Sequence, residues 1–368
     1  MNTVKYGVIG LNRGKTLSEK AMYCPNAEIW AICDIDKEKA DNVAAQLNIK
    51  NVYYNMDEML AATDIDAVII ATPIPNHTEH VIAALKAGKH VLSEVTAATS
   101  MEDCYRLLEA VKLSDKKYMM EENYCYYRPL TIVENMIKAG LFGDVYYAES
   151  DYLMDFQQRA NFPDGIDEWR KDVYFGRRGH PYITHTLGPL ANIMGENIVA
   201  VTCMGAGKYP GLIADNTCVL MCYTEKGNMI RLRNSFVSAR PDLYTYYSIQ
   251  GTKGCYQGPQ GPTDFHKVHI SGLCKPNEWK NLYDFKEFLG TEWDILPNNM
   301  FDDNFDDGVS LFDSGTPLLL NAFTSSIINN TTPSVDISKA LNWTATGLLS
   351  EKSINEGSRP IEVPIFKR

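Results

Sequence analysis

Over the first third of the chain, short and almost wholly apolar runs alternate with amphipathic stretches. The runs are residues 4–10 (VKYGVIG), 28–34 (EIWAICD), 66–72 (DAVIIAT), 90–92 (HVL) and 117–120 (KYMM). Residues 14–23, 36–47, 77–87 and 100–114 between them read as helices, and Ala40, Val43, Ala44 and Leu47 share one face of the second. Strands apolar throughout, each followed by a helix, predict a parallel sheet covered on both faces. That is an α/β Rossmann, doubly wound domain, and we place it over residues 1–123.

The texture changes after residue 124. A helix over residues 129–139 ends at Gly140, and strand-like segments then dominate: 145–153, 198–204, 217–224, 229–235, 244–250 and 266–271. Their aromatic and β-branched residues, with breaks such as Lys226-Gly227-Asn228, predict a large, mostly antiparallel open sheet. Helices return over residues 315–329 and 336–354, the last expected to pack back on the first domain. Residues 124–368 therefore read as an α+β domain for substrate binding and oligomerisation. Residues 272–314, rich in Asp, Asn, Gly and aromatics, read as a long irregular excursion.

Composition narrows the partners. A formal charge of -11 opposes binding to nucleic acid or an anionic membrane and favours a neutral small molecule. No apolar run reaches the ~20 residues of a membrane span, and the N-terminus has no signal-peptide pattern. Nine Cys without a CxxC pair read as packing thiols of a cytoplasmic protein, Cys218 and Cys222 on one strand face. His77-x-x-His80 and His266-x-x-His269 are the close His pairs, and neither has a third ligand at readable spacing, so no metal is expected.

The first strand exits through Gly10-Leu11-Asn12-Arg13-Gly14, a broken form of the G-x-G-x-x-G turn. Its place after a strand and before a helix supports a pyrophosphate site more than its letters do. Asp34 ends the second strand about 20 residues on, where a carboxylate holds ribose hydroxyls and repels a 2′-phosphate. NAD is therefore expected over NADP. Thr72-Pro73-Ile74-Pro75-Asn76-His77 follows the third run, beside the crevice where a dinucleotide lies.

With these residues in place the chain resembles the Gfo/Idh/MocA oxidoreductases over nearly its whole length. The resemblance includes Asn123…Arg128-Pro129, Gly140-Leu141-Phe142-Gly143 and Ser350-Glu351-Lys352-Ser353…Val363-Pro364. Dehydrogenases of that family carry Glu-Lys-Pro after the fourth strand and an Asp four residues before a catalytic His. Here the stretches are Glu94-Val95-Thr96 and Pro181…His185. In these motifs the chain is more similar to the NAD-dependent α-N-acetylgalactosaminidases, redox-neutral glycoside hydrolases on the same fold. The matching stretches are Glu94-Val95, Glu122-Asn123…Tyr126, Glu168-Trp169-Arg170 and Tyr182-Ile183-Thr184-His185-Thr186-Leu187-Gly188-Pro189. The resemblance implies that Gly10, Asn12, Arg13, Asp34, Ile74, Pro75, Asn76, His77, Glu94, Val95 and Asn123 touch NAD. It implies that Tyr152, Arg170, Tyr182, Ile183, Thr184 and His185 bind a sugar, with His185, Tyr182 and Tyr126 catalytic.

These residue types suit such chemistry. Hydrolysis at a glycosidic bond normally takes two flanking carboxylates, and NAD-dependent families are exceptions. In the NAD route a ring carbon, C3 by expectation, is oxidised transiently, which acidifies the neighbouring C–H and permits elimination and rehydration. His185 suits the hydroxyl proton, a polarised Tyr suits the second transfer, and Arg170 suits a developing enolate. Two other readings stay open at this point: a net dehydrogenase giving a 3-keto glycoside or cyclitol, and a non-catalytic NAD-binding regulator. An aromatic-rich open sheet further implies a homo-oligomer, dimer or tetramer.

Overall fold

The computed structural model describes residues 3–158, 167–240, 245–261, 263–296 and 315–368. Its first sheet has six parallel strands: β1 (Val4–Ile9), β2 (Ala27–Cys33), β3 (Asn51–Tyr53), β4 (Ala67–Ile70), β5 (His90–Glu94) and β6 (Tyr118–Glu121). They run in the order β3-β2-β1-β4-β5-β6, so the order reverses between β1 and β4. A crevice opens at the carboxyl ends of the strands at such a reversal. Val8, Ile32, Ile69, Leu92 and Met119 are fully buried, as strands covered on both faces require. The covering helices are α1 (Leu11–Ala21), α2 (Lys37–Leu47), α3 (Met56–Leu60), α4 (His77–Lys86) and α5 (Met101–Lys112).

Two local differences from the sequence reading have physical causes. β3 and α3 span three and five residues, too few to show a period. Helix α1 starts at Leu11 rather than at residue 14. Gly10 turns the chain at φ 87°, and the Asp34 carboxylate accepts from the Leu11 backbone N–H at 2.8 Å. That cap comes from another strand, so no local capping residue announces it.

The second sheet has nine strands in the order β14-β13-β12-β11-β7-β10-β9-β8-β15. In chain order they are β7 (Val145–Leu153), β8 (Ile198–Lys208), β9 (Asp215–Thr224), β10 (Met229–Ser235), β11 (Thr245–Gly251), β12 (Gly254–Gln257), β13 (Lys267–Ile270), β14 (Lys280–Asn281) and β15 (Ile361–Glu362). Pairing is antiparallel except between β7 and β10, which are parallel. The short β12, β14 and β15 were not legible in the sequence, and residues 297–314 of the excursion lie outside the described residues.

One face of this sheet is packed. Helix α6 (Arg128–Lys138) leads into it, the single turn α7 (Glu168–Arg170) follows β7, and α8 (Thr184–Met194) lies against β7, β10 and β11. Cys218 and Cys222 point to this face and are fully buried. Helix α9 (Thr316–Ile328) lies on α1, β1 and β2, where Thr324 and the buried Tyr6 hydroxyl share a 2.8 Å hydrogen bond. Helix α10 (Ile337–Asn355) packs against both sheets, on β8 of the second and on β6 and α5 of the first. The other face carries an ion-pair ladder of Glu149, Arg231, Asp151 and Arg233, with Met204 and Tyr223 exposed beyond it.

Candidate active site

The crevice at the sheet reversal holds two adjoining cavities that share Asn12, Ala71, Thr72 and Pro73. The first, about 430 Å³, is lined by Gly10, Asp34, Asp36, Lys39, Asn76 and His80 among others. A Cβ on Gly10 would stand 2.7 Å from the Ala71 carbonyl oxygen, and one on Gly14 would strike Val8 at 2.7 Å. The β1–α1 turn thus fits only with glycine at both places, and it points the start of α1 into the groove. Asp34 is held by the Leu11 and Asp36 N–H groups, with Lys39 3.6 Å away.

The second cavity, about 510 Å³, extends toward the second sheet. Glu94 ends β5 on its wall, accepting from Arg13 Nε at 3.0 Å and from the Val95 N–H at 3.2 Å. Glu121 ends β6 as the register partner of Glu94, and Arg13 lies 4.0 Å from it. Burial, followed by the neighbouring charge of Glu94, pushes the Glu121 carboxyl well above the usual range. His77 also lines this cavity, but both its ring nitrogens are spent on the Thr96 and Thr72 carbonyls at 2.8 Å. Burial lowers its pKa. It therefore ties the loop after β4 to the loop after β5.

His185 enters from the opposite wall, in the first turn of α8. Pro189 lies within that helix and has no N–H, so the His185 carbonyl loses its helical donor. The buried Tyr247 hydroxyl of β11 donates to that carbonyl at 2.5 Å instead. Glu122, fully buried, faces His185 Nδ1 at 2.8 Å, and the Tyr182 hydroxyl faces Nε2 at 2.9 Å. A carboxylate at Nδ1 keeps a proton on that nitrogen and leaves Nε2 as acceptor toward Tyr182. The Tyr124 ring lies tilted against the imidazole at 4.3 Å, and Tyr152 lies at 5.5 Å. Burial, followed by the surrounding tyrosines, raises the Tyr182 pKa well above its ordinary value, so its proton stays on until a partner takes it.

Three family models match: an oxidoreductase family with an NAD-binding Rossmann fold over residues 4–122, a Gfo/Idh/MocA C-terminal domain over 131–257, and a glycosyl hydrolase 109 C-terminal domain over 214–368. The chain thus carries Gfo/Idh/MocA family domains over residues 4–122 and 131–257. A glycosyl hydrolase family 109 protein of Solibacter usitatus is 27% identical over 403 residues, covering 100% of this chain and 89% of the relative. One of Phocaeicola vulgatus is 27% identical over 410 residues, covering 99% and 95%. Levoglucosan dehydrogenase in complex with NADH and L-sorbose superposes with a TM-score of 0.84 at 20% identity, over 99% of this chain and 100% of that one. An NAD binding oxidoreductase from Klebsiella pneumoniae gives 0.82 at 19%, over 99% and 100%. The last two show the fold.

The first domain is thus an NAD-binding domain of an enzyme, and the residues present fit that cofactor. Glycine is obligatory at the turn that a pyrophosphate would approach, and Asp34 lines the same cavity, where it would hold a ribose. Of the residues expected to touch NAD, Gly10, Asp34 and Asn76 line the first cavity and Asn12 lines both. Arg13, Ile74, His77, Glu94, Val95 and Asn123 line the second, and Pro75 lines neither. Of those expected at the sugar, Arg170, Tyr182 and His185 line the second cavity. Tyr152, Ile183 and Thr184 are buried behind it.

Tyr126 is the one proposed catalytic group that the fold keeps out of the cavity. The turn over Asn123–Tyr126 carries it away, and its hydroxyl bonds Ser334 at 2.6 Å. Tyr124, two residues earlier, lines the cavity instead. The sequence reading quoted Glu122 and Trp169 within motifs but gave them no task, and it passed over Glu121 and Tyr174. The strand-end position of Glu121 was a usable signal. Glu122 and Tyr174 gave none, because their value lies in contacts across the fold.

Proposed function

We propose that this chain is a redox-neutral NAD-dependent glycosidase acting through transient oxidation of a sugar ring carbon, C3. The observation that carries this reading is the hydrogen-bonded chain Tyr182–His185–Glu122, which opens onto the cavity also lined by Glu94, Val95 and Asn123. Bound NAD would supply reversible hydride removal; Gly10, the start of α1, Asp34, Glu94, Val95 and Asn123 would hold it. Tyr182 takes the proton of the reacting hydroxyl as it passes its own to His185 Nε2, and Glu122 stabilises the imidazolium that results. Because burial raises the Tyr182 pKa, no tyrosinate need exist beforehand, and Tyr182 gives up its proton as it accepts the next. Arg170, with its guanidinium 4.2 Å over the Trp169 ring, sits where it would hold the sugar and balance a developing enolate. Trp169 offers an apolar face to the sugar's C–H groups.

The test is direct. Enzyme, NAD and a panel of aryl glycosides are incubated, and aglycone release is followed together with NADH absorbance. Aglycone without net NADH supports the glycosidase. NADH without aglycone makes the protein a net dehydrogenase giving a 3-keto product.

The open face of the second sheet supports a homo-oligomer: Met204 and Tyr223 are exposed beside half-buried Val219 and Met221. A monomer by light scattering at micromolar concentration removes that part of the reading. All nine cysteines are free thiols, in keeping with a cytoplasmic location. Among the described residues no helix is long and apolar enough to cross a membrane.

A further inference from the structure

The proton chain just described uses Glu122 and leaves its neighbour without a task. Glu121 is 1% exposed, lines the second cavity, and its Oε1 has no hydrogen-bond partner. Parallel pairing of β5 and β6 sets it beside Glu94, whose own oxygens are engaged by Arg13 and the Val95 N–H. The charged and titratable groups around it are Arg13 from α1, Glu94 from β5, Glu122 on its own strand end, and His77, Tyr182 and His185 across the cavity. Arg13 is one cation for two carboxyl groups: it bonds Glu94 at 3.0 Å and stays 4.0 Å from Glu121. Two adjacent carboxylates sharing one cation, one of them fully buried and the other partly so, do not both ionise readily.

We propose that Glu94 and Glu121 form a carboxyl pair that holds one proton in the free protein and releases it when oxidised cofactor binds. This rests on the NAD assignment and not on the identity of the sugar. The nicotinamide half of a dinucleotide lies toward this end of the crevice when Asp34 holds the adenosine ribose. A cation brought within ~4–6 Å of a carboxyl lowers its pKa by roughly 1–3. Oxidised NAD carries a positive ring and NADH a neutral one, whereas burial by the ring and repulsion by the pyrophosphate are common to both. The difference between the two cofactors therefore isolates the ring charge. Oxidation of an alcohol yields one hydride and one proton. With the ring charge gone, the pair would regain its affinity for a proton, so the NADH complex would hold at this pair the proton that the NAD+ complex lacks.

The sign follows from linkage. The free pair binds a proton that the NAD+ complex does not, so NAD+ affinity rises with pH until the free pair is ionised, then levels. NADH affinity lacks that rise. Calorimetry of NAD+ and NADH binding in two buffers of different ionisation heat counts the protons. NAD+ should release up to about one proton more than NADH, and Glu121→Gln should abolish that difference while NADH still binds. On the unmodified protein, the infrared carbonyl band of a neutral carboxylic acid should bleach with NAD+ and persist with NADH. Equal proton counts for the two cofactors, or a band that NAD+ leaves untouched, overturns the carboxyl pair and spares the NAD assignment. Failure of both cofactors to bind takes down both.

Discussion

The two ends of the crevice hold their carboxylates in opposite ways. At the ribose end, Asp34 accepts from two backbone N–H groups and has Lys39 nearby. At the far end, Glu121 is buried with an unbonded oxygen beside a second carboxyl, and Glu122 is buried against an imidazole. The first arrangement fixes a charge in place, as recognition requires. The second, on the reading proposed here, would keep protons ready to move. One groove would then divide binding from chemistry by how well each carboxylate is satisfied.

That division can be broken residue by residue. The largest effect is expected at His185. Removing its ring in His185→Ala should lower turnover by roughly 10²–10⁴ while cofactor affinity, measured by fluorescence titration, holds. Near-normal turnover would make His185 structural. Asp34→Ala should act at the other end. Losing a charged hydrogen-bond acceptor costs about 1.5–3 kcal/mol, which should weaken NAD roughly ten- to hundredfold and narrow its advantage over NADP. Tighter NADP than NAD in the unmodified protein would overturn the reading of Asp34. Glu122→Gln keeps the shape but weakens the partner of Nδ1. Turnover should fall roughly ten- to hundredfold, as for other groups that orient a working histidine, with cofactor binding unchanged. An unaltered kcat would show that His185 needs no orientation. The smallest effect is expected from Tyr247→Phe, which orphans the His185 carbonyl. Urea unfolding should show a loss of at least about 1 kcal/mol, and full stability would mean that the carbonyl finds another donor.

The parts legible in the sequence were those set by local pattern. The runs that became β1, β2, β4, β5 and β6 are apolar because both their faces are covered, so hydrophobicity alone marked them. Asp34 was readable because a strand end and a chain distance define it. Helix α8 was not, since Gly188-Pro189 reads as a break. The helix continues through it because Tyr247 supplies the donor that Pro189 removes. Tyr126 and Tyr124 differ only in which way a short turn throws them, which spacing does not encode. Glu122 was quoted within a motif but given no task, because its partner is 63 residues away.

The bond from Tyr247 to the His185 carbonyl has a pharmacological consequence. Tyr247 points inward from β11, while its neighbours Tyr246 and Ser248 lie on the open side, where the Tyr246 hydroxyl meets Glu149. Whatever seats itself on that outer surface is one strand's thickness from the tether of His185. A compound or antibody fragment that shifts β11 would loosen the imidazole without entering the cavity. Such an inhibitor would not compete with sugar or cofactor, and it would lower kcat at unchanged KM.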